Sequence, residues 1–323
     1  MDIANLQKLA ERTRSRRETG IALILASGLL GVSLFIPAGL ESGSQTSNAN
    51  PESLTSEIAT STAPDAFAHV PLEAKAAIVY DLTTGETLYA KNADAQLPLA
   101  SLTKLLTVYA AFDRLAPDAP ITISTDATRL EAPHVFSAGQ RFALVDLARL
   151  TLTASLNDGA AAIAEATAAR EQRSQREMLA GAAASLGLSQ TYAVNGSGLD
   201  VNAAISGGYG SARDLARLSG AFIARAPAVA QATTRSFAEA VSEGGTLFTV
   251  KNTDPIIGTI PRLLLSKTGY TDLAGGNLAL VFDSGIGHPI AVVILGSSQK
   301  ARFTDSTALI NATFAHFAGV ASL

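Results

Sequence analysis

The chain has 323 residues, of which 47% are hydrophobic, and this composition is typical of a folded protein rather than a long disordered one. The formal net charge is −4 and the basic residues are scattered through the body, which argues against nucleic acid as a partner. The absence of cysteine excludes disulfides, thiolate metal sites and a cysteine nucleophile.

The amino terminus contains the first predicted element. Residues 1–20 are basic, and residues 21–40 form a charge-free apolar run of about the length that crosses a bilayer as a helix. Because positive charges gather just before this run, we expect residues 1–20 in the cytoplasm and an uncleaved transmembrane anchor at 21–40. The rest of the chain would then lie outside, on the periplasmic or cell-wall side. A cleaved secretion signal is the alternative, although the run is long for one and no clear cleavage site follows it.

A linker and a hairpin come next. Residues 41–65 are rich in Ser, Thr, Asn and Pro, which is typical of a flexible tether, so we place a single folded domain at 66–323. In that domain, residues 74–81 and 86–92 have strand character, and Gly85 supplies the turn conformation between them. The pattern predicts a β-hairpin.

The centre of the domain has mainly helical spacing. From residue 101 to about 245 the apolar residues repeat at helical intervals in an alanine-rich sequence that is broken in three places. The breaks are residues 118–124, 157–159 and 195–202. Ser211 stands three residues before Asp214 at the start of one apolar run, which predicts an N-cap there.

Strand character returns near the carboxyl end. Residues 262–271, 276–283 and 289–298 have strand patterns, and residues 305–319 form a closing helix. The sequence therefore predicts an α+β fold, in which an antiparallel sheet of N- and C-terminal strands packs with helices and a mainly helical subdomain is added. We expect the first hairpin to pair with the last strands.

Ser101 and Lys104 are candidates for catalysis because they lie three residues apart at the start of an apolar helix and share one face of it. Burial or a neighbouring positive charge lowers the pKa of an amine toward neutrality, and a neutral lysine can act as base for a serine nucleophile. The same pair also fits an ordinary surface helix. Histidine, the more usual base, lies in settings that suggest neither a triad nor a metal site. The histidines are His69, His134, His288 and His316.

Two further motifs follow in the chain. The tripeptide Ser-Leu-Asn at 155–157 separates two helical runs, so that a hydroxyl and an amide project from a short turn, although an ordinary helix cap has the same pattern. In the tripeptide Lys-Thr-Gly at 267–269, the strand period places Lys267 and Gly269 on one face. A glycine inside a strand usually marks the close approach of another element, and an edge-strand lysine before a bend is the ordinary alternative. Three such motifs in this order argue against coincidence.

With these motifs the chain resembles the penicillin-recognising serine enzymes, and within them the D-alanyl-D-alanine carboxypeptidases, or low-molecular-mass penicillin-binding proteins. The resemblance runs from about residue 66 to 319 and includes residues 80–101, 195–200, 211–218 and 267–282. It implies a β-lactamase/transpeptidase-like fold. It also implies a membrane-tethered serine enzyme that removes the terminal D-alanine of peptidoglycan stem peptides through an acyl-enzyme, with β-lactam antibiotics as covalent inhibitors and no cofactor or metal.

The resemblance leaves three alternatives. The same fold serves DD-endopeptidases and serine β-lactamases, although no convincing Glu-x-x-x-Asn segment supplies the deacylating carboxylate of a β-lactamase. A catalytically silent cell-wall-binding module could also use the same groove. Such a module would have no need of the motif lysine at position 104.

The resemblance assigns roles to four residues near the nucleophile. It makes Ser101 the nucleophile and Lys104 its general base. Ser155 would relay a proton to the leaving amine, and Asn157 would hold both the acyl side chain and Lys104. The chain departs from the family at Leu156, where a small residue is more common, and this bears on the preference for substrate side chains.

The resemblance also assigns roles to the strand motif. Lys267 would be a fixed cation that attracts the terminal carboxylate and lowers the pKa of Lys104. Thr268 would hydrogen-bond the same carboxylate, and Gly269 would let the strand approach the helix. The N–H groups of Ser101 and Tyr270 would form the oxyanion hole.

Overall fold

An antiparallel sheet of five strands organises the structure, a computed structural model that describes residues 65–319. The strands are β1 Ala76–Asp81, β2 Thr87–Lys91, β3 Leu97–Pro98, β4 Pro120–Thr122, β5 Arg141–Ala143, β6 Tyr192–Ala193, β7 Gly208–Gly210, β8 Phe237–Val241, β9 Leu247–Lys251, β10 Leu263–Thr271, β11 Gly275–Asp283 and β12 Pro289–Ser297. The large sheet has the order β10-β11-β12-β1-β2, and each neighbouring pair is antiparallel. The predicted hairpin of β1 and β2 therefore pairs with the last strands, which confirms the predicted α+β architecture.

The predicted amino-terminal segments lie outside the described residues. These are the cytoplasmic segment 1–20, the transmembrane anchor 21–40 and all but the last residue of the linker 41–65. Between residues 65 and 319, no helix combines the length and the apolar character needed to cross a membrane.

Helices cover both faces of the large sheet. They are α1 Thr103–Arg114, α2 Leu144–Ala154, α3 Asn157–Glu171, α4 Gln175–Ser185, α5 Ala212–Arg225, α6 Pro227–Ala232 and α7 Ala301–Ala318. The closing helix α7 packs on β11 and β12, and α5 packs on β1, β11 and β12 from the other side. Helices α1 to α4 form the helical subdomain, in which α1 contacts α3 and α4. Helix α1 also contacts α5, which lies against the sheet. The N-cap of α5 is as predicted, because Ser211 Oγ accepts a hydrogen bond from the backbone N–H of Asp214.

The period of the strands divides the core into two layers. On β11, Leu278 and Leu280 belong to the apolar cluster that includes α7, whereas Ala279 and Val281 belong to the cluster of the helical subdomain. This alternation is the expected result of side chains pointing to opposite faces of a pleated strand. The same period places Lys267 on the face of the helical subdomain, opposite Ala279 of β11.

The prediction of helical spacing as far as residue 245 is wrong at its end. Residues 237–251 form an antiparallel hairpin of β8 and β9 instead. On β8 the alanines Ala238 and Ala240 are buried, and the three residues that alternate with them are exposed. The large apolar residues Phe237, Val241 and Leu247 are exposed while the alanines are buried, so the apolar spacing does not indicate the buried face. The cross-strand pairing to β9 decides the conformation instead.

Candidate active site

The turn that carries Ser101 is held in an unusual backbone conformation. Ser101 is the central residue of a 3-10 helix, Ala100–Leu102, which leads directly into α1. Ala100 has a φ of +49°, a left-handed conformation that is uncommon outside glycine. A Cβ at Gly198 would lie 2.0 Å from the carbonyl oxygen of Ala100, so the loop at 195–202 packs on this turn with no room for a side chain. The chain around Ser101 is thereby fixed from the neighbouring loop.

Lys104 lies in contact with the nucleophile. Its Nζ is 2.7 Å from Ser101 Oγ, 2.8 Å from Asn157 Oδ1 and 2.8 Å from the carbonyl oxygen of Ser197. The amide of Asn157 is oriented by Nδ2, which donates to the carbonyl oxygen of Glu131. Because Asn157 Oδ1 and the Ser197 carbonyl can only accept, they take the two protons of a neutral amine. The amine lone pair then faces the hydroxyl of Ser101, as a general base requires.

Burial makes the neutral form of Lys104 accessible. The side chain has no exposed surface, and burial lowers its pKa from 10.5 to about 7, against the opposing influence of the Asp158 carboxylate. The lowered pKa agrees with the sequence analysis, although burial rather than the charge of Lys267 is its principal cause. Repulsion between two ammonium groups is mutual, so Lys104 and Lys267 also disfavour each other's charged form.

The turn between α2 and α3 directs Ser155 and Asn157 toward the two lysines. Ser155 ends α2 with a φ of +59°, and Asn157 is the first residue of α3. Ser155 Oγ lies 2.9 Å from Lys267 Nζ and, within the described structure, makes no hydrogen bond to Ser101 or Lys104. Leu156 is buried in the core of the helical subdomain, so its side chain does not line the groove. The side chain of Leu156 therefore cannot contact a substrate side chain directly, as its expected effect on substrate preference would require.

Lys267 reaches across from β10 to this turn. Its Nζ donates to the carbonyl oxygen of Thr268 at 2.7 Å, and only 1% of the residue is exposed. Burial holds its pKa well below the usual value, and the positive charges of Lys104 and Arg302 lower it further. A substrate carboxylate would favour its charged form, because an opposite charge nearby raises the pKa of an amine.

Gly269 lets β10 approach the nucleophile. A Cβ at this position would lie 2.9 Å from the carbonyl oxygen of Leu99 and 3.3 Å from the backbone nitrogens of Ser101 and Leu102. These are backbone atoms, which cannot move aside as a side chain can. The strand and the 3-10 helix can be this close only because residue 269 has no side chain, as the sequence predicted.

The backbone of β10 presents N–H groups at the edge of the sheet. The N–H of Ser266 points out of the sheet to Thr233 Oγ1 at 3.0 Å. Residues two apart in a strand direct their N–H groups to the same side, so those of Thr268 and Tyr270 also face this edge. Tyr270 is 45% exposed. Its N–H is thus placed beside the turn that carries Ser101, as an oxyanion donor would be.

Two residues beside the strand motif were missed by the sequence analysis. Thr253 Oγ1 lies 2.6 Å from Thr268 Oγ1, and Arg302 Nη1 donates to the carbonyl oxygen of Gly269 at 2.7 Å. Arg302 is buried, and no carboxylate of residues 65–319 lies within ion-pair distance of its guanidinium. Since arginine remains protonated in proteins, Arg302 supplies the permanent positive charge beside the motif. Neither residue stands in a motif, so the sequence carried no signal for them.

A third missed residue lies behind the site. Asp158 is fully buried, and its Oδ2 accepts hydrogen bonds from the backbone nitrogens of Val135 and Phe136, each at 2.8 Å. The carbonyl oxygen of Pro133 in the same loop accepts from the backbone nitrogen of Asn157 at 2.7 Å. Asp158 thus ties the loop before β5 to the start of α3. In the sequence, the only indication that Asp158 belongs to the site was its position directly after Asn157.

The histidines make contacts with residues other than Ser101 and Lys104. His288 Nε2 lies 2.6 Å from Asp81 Oδ2, and the ring of His316 packs against Phe67. In the described structure none of the histidines hydrogen-bonds to Ser101 or Lys104. Between residues 65 and 319 no three side chains of His, Asp or Glu converge in a way that could hold a metal ion.

Comparison with known proteins identifies the family. The sequence model of the D-alanyl-D-alanine carboxypeptidases matches residues 59–299. The D-alanyl-D-alanine endopeptidase of Pseudomonas aeruginosa is 32% identical over 269 residues, which are 80% of this chain and 84% of that protein. The D-alanyl-D-alanine carboxypeptidase DacD of Escherichia coli is 32% identical over 249 residues, or 72% of this chain, but the match spans only 61% of the relative.

Solved structures share the fold. Penicillin-binding protein D2 of Listeria monocytogenes in its ampicillin-bound form has a TM-score of 0.65 and 28% identity, with 76% of this chain and 99% of that chain covered. A penicillin-binding protein homologue from Mycobacterium tuberculosis has a TM-score of 0.69 and 25% identity, with 76% and 94% covered. The chain therefore belongs to the D-alanyl-D-alanine carboxypeptidase family, and it is a serine peptidase with the fold of the penicillin-binding proteins.

Proposed function

We propose that this protein hydrolyses the D-Ala-D-Ala end of peptidoglycan stem peptides, with Ser101 as nucleophile and Lys104 as general base. The observation that carries the proposal is the surroundings of the Lys104 amine. Two acceptors take its protons, burial lowers its pKa to about 7, and the free lone pair faces Ser101 Oγ at 2.7 Å. A wall-binding module would gain nothing from this arrangement.

Acylation follows from these contacts. Ser101 Oγ attacks the carbonyl carbon of the penultimate D-alanine while its proton passes to Lys104 Nζ. The negative charge on the carbonyl oxygen is stabilised by the N–H groups of Ser101 and Tyr270, each worth on the order of 3 kcal/mol. The tetrahedral intermediate then collapses to the acyl-enzyme. The proton that Lys104 took up passes through Ser155, which lies beside Lys267, to the leaving amine, so Lys104 is neutral again.

Hydrolysis of the acyl-enzyme restores the site. Water attacks the ester carbonyl and gives a proton to Lys104, and Ser101 recovers its hydroxyl proton as the ester bond breaks. Until the leaving residue departs at the end of acylation, its carboxylate is held by the hydroxyl of Thr268 and the amine of Lys267. The guanidinium of Arg302, bonded to the carbonyl oxygen of Gly269, adds a permanent positive charge.

Intact-mass analysis after exposure to penicillin tests the proposal. We expect a covalent adduct on Ser101 that disappears in Ser101→Ala, while the matched variant Ser137→Ala in an exposed loop retains it. A serine β-lactamase would release the antibiotic rapidly instead of keeping the adduct. A wall-binding module would form no adduct. An adduct that persists in Ser101→Ala would refute the assignment of the nucleophile.

The alternative activity is DD-endopeptidase cleavage of cross-links by the same residues. The similarity to the P. aeruginosa protein, which is named an endopeptidase, supports it. Carboxypeptidase and endopeptidase differ only in what is attached to the leaving amine. Incubation with a monomeric pentapeptide and with a cross-linked dimer of stem peptides measures both activities.

The proposal includes membrane anchoring by residues 21–40, a linker at 41–65 and a catalytic domain at 66–323 outside the cytoplasm. The charge-free apolar run and the basic residues before it support this arrangement. Protease treatment of intact cells should remove the domain from the full-length protein while residues 1–20 stay protected. Recovery of a domain lacking residues 1–40 would show instead that the segment is a cleaved signal.

A further inference from the structure

Arg302, at the start of α7, carries a buried positive charge that no carboxylate neutralises by direct contact. Only 7% of the residue is exposed, and none of the ion pairs in residues 65–319 includes it. Asp254 acts on the charge of Arg302 through space, but its carboxylate hydrogen-bonds to Ser266 Oγ at 2.5 Å instead. Burying a charge without an ion pair costs stability, so packing alone does not explain an arginine here.

The guanidinium is held against the backbone of β10. Its Nη1 donates to the carbonyl oxygen of Gly269 at 2.7 Å, and its Cζ lies 4.7 Å from the centre of the Phe303 ring. Its Nε is buried and makes no hydrogen bond within residues 65–319. In the described structure the guanidinium therefore makes one hydrogen bond, a charge-assisted bond to the backbone of the strand motif.

The carbonyl that Arg302 binds belongs to the same peptide unit as an oxyanion donor. The bond between Gly269 and Tyr270 is trans, so the C=O of Gly269 and the N–H of Tyr270 point in opposite directions. The N–H faces the free edge of the sheet, because residues two apart share a side and the N–H of Ser266 points there. The C=O faces β11, where Asn277 lies opposite Gly269. Arg302 and the oxyanion thus lie at the two ends of one peptide dipole.

This alignment strengthens the N–H of Tyr270 as a donor. A cation at the carbonyl oxygen draws electron density along the peptide unit, and hydrogen bonds linked through one polar group reinforce each other by about 10–30% per bond. The positive charge also acts on the oxyanion through space, in a buried region where screening by water is weak. Both effects favour the tetrahedral intermediate over the bound substrate, because the negative charge exists only in the intermediate.

We propose that Arg302 is a positioning residue that strengthens the oxyanion donor of Tyr270 through the carbonyl of Gly269, an inference that rests on the proposed function. Arg302 does not touch the reacting atoms. It fixes the plane of the peptide between residues 269 and 270 and polarises this peptide before substrate arrives. The oxyanion hole therefore depends on a residue of the last helix, distant from Tyr270 in the sequence.

Three substitutions separate the charge of Arg302 from its hydrogen bond. Arg302→Lys keeps the charge, Arg302→Gln keeps a neutral N–H donor, and Arg302→Met keeps neither. We expect Arg302→Met to lower the single-turnover rate constant of acylation about five- to fiftyfold, less than the 10²–10³-fold loss of a complete oxyanion donor. The dissociation constant of the substrate should change little. Arg302→Lys should lose least.

A sulfur substitution in the substrate reports on the oxyanion hole directly. Sulfur accepts hydrogen bonds more weakly than oxygen, so an oxyanion hole favours a peptide ester with a scissile C=O over its C=S analogue. We expect the ratio of the two acylation rate constants to fall about fivefold in Arg302→Met. A general disturbance of the site would lower both rate constants and leave their ratio unchanged.

A second pair of substrates distinguishes this role from binding of the substrate carboxylate. The pair are peptides that end in D-Ala-D-Ala with either a free carboxylate or an amide at the terminus. An arginine that acted only on the carboxylate would matter for the first peptide and not for the second. We expect the loss in the acylation rate constant of Arg302→Met to persist with the amidated peptide.

Arg262→Met is the matched control. Arg262 also donates to carbonyl oxygens of the sheet region, those of Asp283 and Ser284, but at the far end of β11 from Asn277. This variant should change neither the rate constant nor the C=O to C=S ratio. The nitrogen-15 resonance of the Tyr270 amide gives a readout without substrate, because it should move in Arg302→Met and stay in place in Arg262→Met.

Thermal unfolding of each variant shows whether it is folded. If Arg302→Met does not fold, Arg302→Lys and Arg302→Gln supply the comparison of charged with neutral donor. A C=O to C=S ratio that stays the same in every folded variant, or losses confined to peptides with a free carboxylate, would overturn the inference. Penicillin would still label Ser101 in that case, and the proposed function would stand. An unmodified protein that penicillin does not acylate would overturn both.

Discussion

The pH dependence of acylation is the most direct test of the state of Lys104. If the free amine is the base and its pKa is about 7, about a tenth of the molecules are competent at pH 6 and about nine tenths at pH 8. The acylation rate should therefore rise nearly tenfold per pH unit below pH 7 and level off above it. An ordinary lysine with a pKa of 10.5 would be neutral in only about one molecule in 3,000 at pH 7.

The assay is the second-order rate of labelling by a fluorescent penicillin between pH 5.5 and 9. Lys104→Met removes the amine with little change in volume, and the rate should fall about 10²–10⁴-fold, the usual contribution of a general base. Lys91→Met is the control. It removes a lysine of β2 whose amine bonds the carbonyl oxygen of Leu72, and it should leave the profile unchanged.

Two results would exclude Lys104 as the general base. A rate that does not change between pH 6 and 8 would show that no group with a pKa near 7 is needed in its neutral form. An inflection that persists in Lys104→Met would assign the titration to another group. In either case Lys104 would be a structural residue of the site.

Three further predictions follow from burial, packing and charge. Lowering the pKa of Lys104 from 10.5 to about 7 costs up to about 5 kcal/mol of stability, at 1.36 kcal/mol per unit. Its three hydrogen bonds recover about 1 kcal/mol each. Lys104→Met should therefore raise the free energy of urea unfolding by up to about 2 kcal/mol at pH 7. Between about pH 7 and 10.5 the unfolded chain binds a proton that the folded chain does not, so the cost of the neutral amine falls as the pH rises through that window. The gain should therefore shrink and change sign, because only the loss of the hydrogen bonds remains at high pH; a constant gain would contradict this. Gly269→Ala should cost about 1–3 kcal/mol in thermal unfolding and slow acylation, since the new Cβ meets backbone atoms, whereas Gly244→Ala, which meets only Ser242 Oγ at 3.8 Å, should do neither. Lys267→Ala should weaken the hydrolysis of peptides with a free terminal carboxylate more than that of amidated peptides, and equal losses would remove its role in binding.

Much of the fold was predictable because its signals are local and repeated. The strands β10, β11 and β12 alternate or run continuously in apolar residues, and the turn at Gly85, with a φ of +78°, identified the first hairpin. The three motifs could be read as one site since each carries reactive side chains at a fixed spacing. The hairpin of β8 and β9 could not be predicted, because its large apolar residues Phe237, Val241 and Leu247 are exposed while small alanines of β8 are buried.

The part of the site that escaped prediction acts through backbone atoms or through distant elements. The carbonyl oxygen of Ser197 takes a proton of Lys104, and any residue type could supply that oxygen. Arg302 reaches the strand motif from α7 and contacts a carbonyl of β10, which leaves no trace in residue spacing. Asp158, buried behind the site, opposes the lowering of the pKa of Lys104. Only the assembled fold shows these three contributions.

The position of β10 at the edge of the sheet explains how one strand can both close the core and receive a substrate. Edge strands carry unpaired backbone groups, and proteins usually cover or interrupt them. Here the edge is covered at Ser266 and Thr268. The hydroxyl of Thr233 accepts from the N–H of Ser266, and the hydroxyl of Thr253 contacts that of Thr268. The stretch at Tyr270 is exposed beside the nucleophile. An extended peptide can add to such a free edge as a further strand, which would bring its scissile carbonyl to Ser101 in a defined register. The covering of one half of the edge thus directs the peptide to the other half.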